Sequence, residues 1–313
     1  MTRQSILLSG VTVAAAGLLG AARLSGALEP PAPPPSAGRV PDITPVAAAA
    51  GESVSENAAE RAERLFFEAL NRRPDSRPEA MTALWEAVAA EPSNGRLSLG
   101  RGLGHLGIAA ESAADSREAV EHAILAEHYL TVASRLMPED DRIVSWLAPL
   151  RIRLGQRSGD TSGVEQAWAD LPSAVKRDPC FHAVSLALLC FDRPADSREF
   201  VEGLDALRAA AACGPDDPSV QNRDRWPHNL EGFALVLAQY ELKAGHRQRA
   251  EGMLMFAQER PSYPQWPHRA VLEGLFQKLG NDPAGARDSA LVIAPGSAIA
   301  CRICHQGQEE PPR

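Results

Sequence analysis

Near the carboxyl end two thiols and an imidazole fall together, in the run Cys301-Arg302-Ile303-Cys304-His305. Thiols three positions apart share one side of a helical turn, with the imidazole adjacent. That set suits covalent haem attachment: two thioethers to the haem vinyls and a histidine on the iron. Cys301 and Cys304 are the expected thioether residues and His305 the expected proximal ligand of one haem c. The same spacing also serves a thiol pair or disulfide, although the βαβ setting of C-x-x-C redox chemistry is missing. Zinc would need a fourth ligand, and the eight residues after His305 offer none.

A distal iron ligand would come from the last helices, where Met253, Met255 and His268 are the candidates. Core packing is the competing role for both methionines. His268 and His228 each end a Trp-Pro-His tripeptide, which points to a repeated structural role instead. Five-coordinate haem is a third option. Cys180, Cys190 and Cys213 are the other cysteines; two of them would pair in an oxidising compartment, or all stay as buried thiols.

These residues need a scaffold, and composition indicates its class. The chain has 313 residues, 44% apolar and 23% charged, which excludes a wholly disordered chain and a polytopic membrane protein. Alanine and leucine dominate and aromatic residues make up 5%, so an all-α fold is expected. A formal charge of −8 gives no electrostatic footprint for nucleic acid.

Arg3 precedes an uncharged apolar run, ILLSGVTVAAAGLLGAA, from Ile6 to Ala22. This reads as a secretory signal peptide or a membrane anchor over residues 1–27, with membrane association through residues 5–22. Residues 28–54 are rich in Pro and Ala and make a stiff linker. The expected location is the bacterial periplasm, free or held at the inner membrane.

The body repeats. Asp-Ser-Arg occurs at residues 75–77, 115–117 and 196–198, at intervals of 40 and 81, and Trp-Pro-His at 226–228 recurs 40 residues later. Cap signatures of Asp or Ser followed by Glu or Pro place helix starts near 75, 115, 160, 196, 245 and 282. Six helix pairs follow: 55–73 with 76–91, 94–112 with 115–137, 141–155 with 161–178, 179–192 with 196–213, 228–244 with 246–259, and 266–280 with 282–294. Prolines at 92, 138, 179, 215, 261 and 295 are read as closing the units.

Gly102-Leu103-Gly104-His105-Leu106-Gly107 matches G-x-G-x-x-G without the strand a dinucleotide site needs. Its glycines are expected at a close helix crossing instead. His122 and His128 share one helix but do not face each other, so a packed or solvated role is expected for both. No nucleophile elbow, phosphate loop or paired-carboxylate motif is present.

Within the pairs, Ala126-x6-Ala133-x4-Pro138 and Ala238-x6-Gly245-x4-Ala250-x6-Ala257 resemble the tetratricopeptide repeat. The resemblance covers residues 55–295 and is degenerate, with intervals above the 34 residues of that family. It implies an α-solenoid with a concave partner-binding face and no chemistry of its own. Residues 296–313 form the haem-attachment tail, whose motif resembles that of c-type cytochromes. Small cytochromes c carry the motif near their start, whereas here a haem must pack on the solenoid, on a partner, or stay exposed. The combined expectation is an exported monohaem c-type electron carrier, not an enzyme, docking a protein partner in a membrane or periplasmic electron-transfer complex. A helical scaffold or assembly factor without haem is the alternative, and a haem-based sensor or peroxidase is a third.

Overall fold

A computed structural model describes residues 57–71, 74–113, 116–213 and 228–289, together with Val292 and Cys304. The signal or anchor, the linker, Cys301 and His305 lie outside the described residues. The described residues form twelve α-helices and no strand, so the chain is all-α as expected. In chain order the helices are α1 (Ala58–Asn71), α2 (Arg77–Ala90), α3 (Gly95–Glu111), α4 (Arg117–Leu136), α5 (Val144–Ser158) and α6 (Thr161–Arg177). There follow α7 (Pro179–Cys190), α8 (Arg198–Ala211), α9 (Asn229–Lys243), α10 (Arg247–Gln258), α11 (Arg269–Asn281) and α12 (Pro283–Arg287).

Short polar side chains set the helix starts. Ser116, Asp160, Ser197 and Asp282 accept from the backbone amides of Ala119, Gly163, Phe200 and Gly285, satisfying donors that the first turn leaves open. Asn94 and Asp178 cap α3 and α7 in the same way. The start expected near 75 falls at Arg77, with Ser76 at the N-cap position, no side-chain cap bond, and a 3-10 turn, Pro74–Ser76, leading in. One expectation needs correcting. Pro179 does not close a unit but opens α7 at its first position, where proline has no hydrogen bond to lose.

Each helix packs chiefly on its chain neighbour, pairing α1 with α2, α3 with α4, α5 with α6, α7 with α8, α9 with α10 and α11 with α12. The second helix in five of these pairs carries one short pattern: Ala80-Leu84-Ala87, Ala126-Leu130-Ala133, Ala167-Leu171-Ala174, Gly203-Leu207-Ala210 and Ala250-Leu254-Ala257. Positions i, i+4 and i+7 share one helix face. All these residues are buried except Ala210, which is half-buried. The small residues let the neighbouring backbone come close and the leucine fills the space between, each leucine contributing about 1.5–3 kcal/mol of burial. A proline follows the third position by five residues at Pro92, Pro138, Pro179 and Pro215.

The glycine-rich run on α3 lies at a tight crossing, as expected. A Cβ on Gly102 would come within 2.8 Å of Leu130 Cγ on α4, and one on Gly104 within 2.3 Å of Met81 Sδ on α2.

One continuous core runs from α5 to α12, with Phe200, Tyr240 and Trp266 fully buried. Tyr240 donates its hydroxyl to the Ala187 carbonyl, and Lys243 donates to Phe191 O while lying over the Phe191 ring at 4.7 Å. The Glu241 carboxylate, 3% exposed, is held by Arg208 at 2.8 Å and lies 2.8 Å from His246 Nδ1. Burial alone would raise this carboxyl, but Arg208 and His246 more than offset it and hold it below its ordinary range.

Cys180 on α7 and Cys213 just after α8 form a disulfide with their Cα atoms 6.0 Å apart. Of the three central cysteines these are therefore the pair. Cys190 stays a thiol, 1% exposed, and burial pushes it up to about 12. At neutral pH it is a protonated, unreactive core residue.

Candidate functional site

Of the attachment motif, Cys304 falls among the described residues, and its surroundings define the candidate site. The start of α9 holds it. A helix leaves its first amides without intrahelical partners, and here the amide of His228, the residue before α9, donates to the Cys304 carbonyl at 3.1 Å. Cys304 is half-buried and packs against the main core. Close by in sequence, the amide of Val292 donates to Gln239 Oε1 of α9 at 2.9 Å. Helix α9 thus anchors the carboxyl-terminal region at two points.

His228 is itself enclosed, at 3% exposure, with its ring centroid 6.4 Å from that of Trp266. Its Nδ1 lies 3.5 Å from Glu231 Oε1, longer than a hydrogen bond, and neither atom has a hydrogen-bond partner. Burial pushes the Glu231 carboxyl upward, while His228 and Ser262 outweigh it and hold the group below the usual carboxylate range. An ionised carboxylate therefore stands beside a buried imidazole, one turn from the Cys304 contact.

Trp266 is fully buried and His268 meets it edge-on, with centroids 6.4 Å apart at 82°. The Trp-Pro-His tripeptide at 266–268 thus buries its indole and ends where α11 begins, as the structural reading expects. The other distal-ligand candidates lie on α10. Met253 packs partly buried against the core, and Met255 is 51% exposed. The contact between His228 and Cys304 is made by the two backbones, the His228 amide donating to the Cys304 carbonyl. Its signal in the sequence was the duplicated Trp-Pro-His, which does not say that the copy at 228 meets the carboxyl end.

Cys304 is half-buried on an apolar wall, and an enclosed imidazole nitrogen without a hydrogen bond lies in the same neighbourhood. An apolar ring system with a metal at its centre calls for an apolar wall with a few nitrogen ligands. Among the described residues there is no group of three or more His, Cys, Asp or Glu arranged to hold a bare metal ion. Among the same residues, no helix is long and apolar enough to cross a membrane.

Set against known protein families, curated proteins and solved structures, the chain finds no match in any of the three.

Proposed function

We propose that this protein is an exported helical-repeat scaffold that carries one c-type haem at its carboxyl end and passes electrons to or from a protein partner docked on the repeats. The C-x-x-C-H run at 301–305 carries this reading, with Cys304 seated on the helical body as support. Cys301 and Cys304 would hold the haem and His305 would ligate its iron. Once bound, the haem supplies one-electron redox chemistry. The start of α9 holds the Cys304 backbone, the core covers one side of Cys304, and an ionised Glu231 stands beside the His228 imidazole. In the same reading, the paired helices stack as a tetratricopeptide-like solenoid. The five-fold Ala-x3-Leu-x2-Ala type pattern, with its trailing prolines, supports this. The Cys180–Cys213 disulfide supports export, since the cytosol keeps thiols reduced. Residues 5–22 would then serve as the signal or the anchor.

The test is the intact mass of protein made with its own amino terminus in cells competent for cytochrome maturation, with a haem stain on a denaturing gel. The proposal expects one covalent haem that is lost in Cys301→Ala. A mass equal to that of the polypeptide alone, with no Soret band, would remove electron transfer. The helical pairs and their repeated small-residue face then favour a second reading, a scaffold for a client protein.

A further inference from the structure

On the facing sides of α3 and α4, Arg101 and His105 meet His122 and Tyr129. His105, 6% exposed, stacks on Tyr129 with centroids 5.8 Å apart at 13°, and its Nδ1 lies 2.8 Å from His122 Nδ1. The Arg101 guanidinium lies over the same tyrosine ring at 4.6 Å. Three nitrogens here are enclosed with no hydrogen-bond partner: Arg101 Nε, Arg101 Nη1 and His105 Nε2.

The acids in reach by sequence are committed elsewhere. Glu111 is bonded to Arg77, Glu121 to Arg117, Glu127 to Arg151 and Glu118 to Ser112. Arginine can only donate and stays charged, so what it lacks is an acceptor with negative charge. His105 gives a second donor in the tautomer where His122 Nδ1–H donates to His105 Nδ1, leaving the proton of His105 on Nε2. Burial, followed by His122 and Arg101, keeps the His105 imidazole neutral at pH 7. Buried polar groups are otherwise almost always satisfied, and a half-buried guanidinium with two enclosed, open nitrogens is a costly exception. The third guanidinium nitrogen, Nη2, is not among the enclosed atoms and gives an approaching ligand its first contact.

We propose that Arg101, His105 and Tyr129 form a receptor for one oxyanion, a carboxylate or a phosphate group. The anion is taken up at Nη2 and completed by the fork nitrogens of Arg101 and Nε2 of His105. The site is separate from Cys304 and does not depend on the haem reading.

The experiment is thermal unfolding of the disulfide-intact full chain at pH 7 in sodium phosphate, acetate and chloride of matched ionic strength, for the wild type and Arg101→Met. General salt effects act on both proteins, so the difference between them reads the site. The expected result is a wild-type midpoint raised by about 2–4 °C, beyond that of the variant, at roughly five times the half-saturating anion concentration. Arg101→Lys, which keeps the charge and loses the fork, should show a smaller rise. A rise with phosphate alone identifies phosphate groups as the ligand, and a rise with both identifies carboxylates as well. Equal shifts in wild type and Arg101→Met, or none beyond chloride, overturn the proposal. Should Arg101→Met fail to fold, NMR decides on the wild type: saturable shifts of the His105 and His122 ring signals with phosphate support the site, and flat signals overturn it.

Discussion

The backbone amide of His228 donates to the carbonyl of Cys304, so the start of α9 receives from the carboxyl-terminal segment an acceptor that its own helix cannot supply. A chain ending at Ala300 returns that amide to solvent. Its hydrogen exchange should quicken by about tenfold, in keeping with the loss of one hydrogen bond. Unchanged protection of His228 would show that the contact contributes no stability.

Gly102 and Gly107 lie on the same helix and should respond in opposite directions to alanine. At Gly102 the new Cβ meets the Leu130 side chain at 2.8 Å and its backbone nitrogen at 3.1 Å, and the backbone cannot swing aside. Gly102→Ala should cost about 1–3 kcal/mol in urea unfolding. At Gly107 nothing lies within 4 Å, so Gly107→Ala should stabilise by about 0.5–1 kcal/mol through helix propensity. Equal effects at the two positions would contradict the close α3–α4 crossing.

The repeated leucine should matter wherever it occurs. Leu171, fully buried between Ala167 and Ala174, is the test position. Leu171→Ala should lose about 2–5 kcal/mol, because flanking alanines cannot reach across to fill the hole. A loss below about 1 kcal/mol would mean that this face is not packed.

The disulfide between Cys180 and Cys213 closes a loop with a sequence separation of 33 residues. In the chain-entropy account such a loop is worth about 3–4 kcal/mol. Dithiothreitol and Cys213→Ser should lower the urea midpoint equally, and adding both should do no more than either one. A reductant effect that persists in the variant would place the linkage elsewhere.

Acid should destabilise the protein before its carboxylates titrate. Burial first, then His122 and Arg101, push the His105 imidazole from 6.5 down to about 4. Burial also lowers His182, whose Nδ1 lies 2.6 Å from Ser145 Oγ. Between pH 6.5 and 4 the unfolded chain therefore binds more protons at the His105 site than the folded one, and His182 acts in the same direction. The stability that His105 contributes is whole above 6.5 and falls as the pH drops toward 4. His105→Gln should flatten that limb by about 2 kcal/mol in denaturant titrations at pH 7 and pH 4, a figure reduced for solvent screening. An unaltered slope would mean that the imidazole titrates normally.

The helices were legible because caps, prolines and alanine-leucine spacing act over a few residues. Asn94 and Asp178 carry the same cap chemistry that located α4 and α8, and the Ala-x3-Leu-x2-Ala type pattern stands in the sequence at all five positions. Pro179 misled because a proline between two helices reads equally as the end of one or the first position of the next.

By itself the sequence determined the helical class, the order of the pairs and the chemical capacity of Cys301, Cys304 and His305, since each depends on residue type and short spacing. Tertiary structure alone decided that Cys180 pairs with Cys213, that His228 holds Cys304, and that Arg101, His105 and Tyr129 stack together. These contacts join different helices or distant segments, and which face meets which is set by side-chain volumes and backbone approach across the whole packed core.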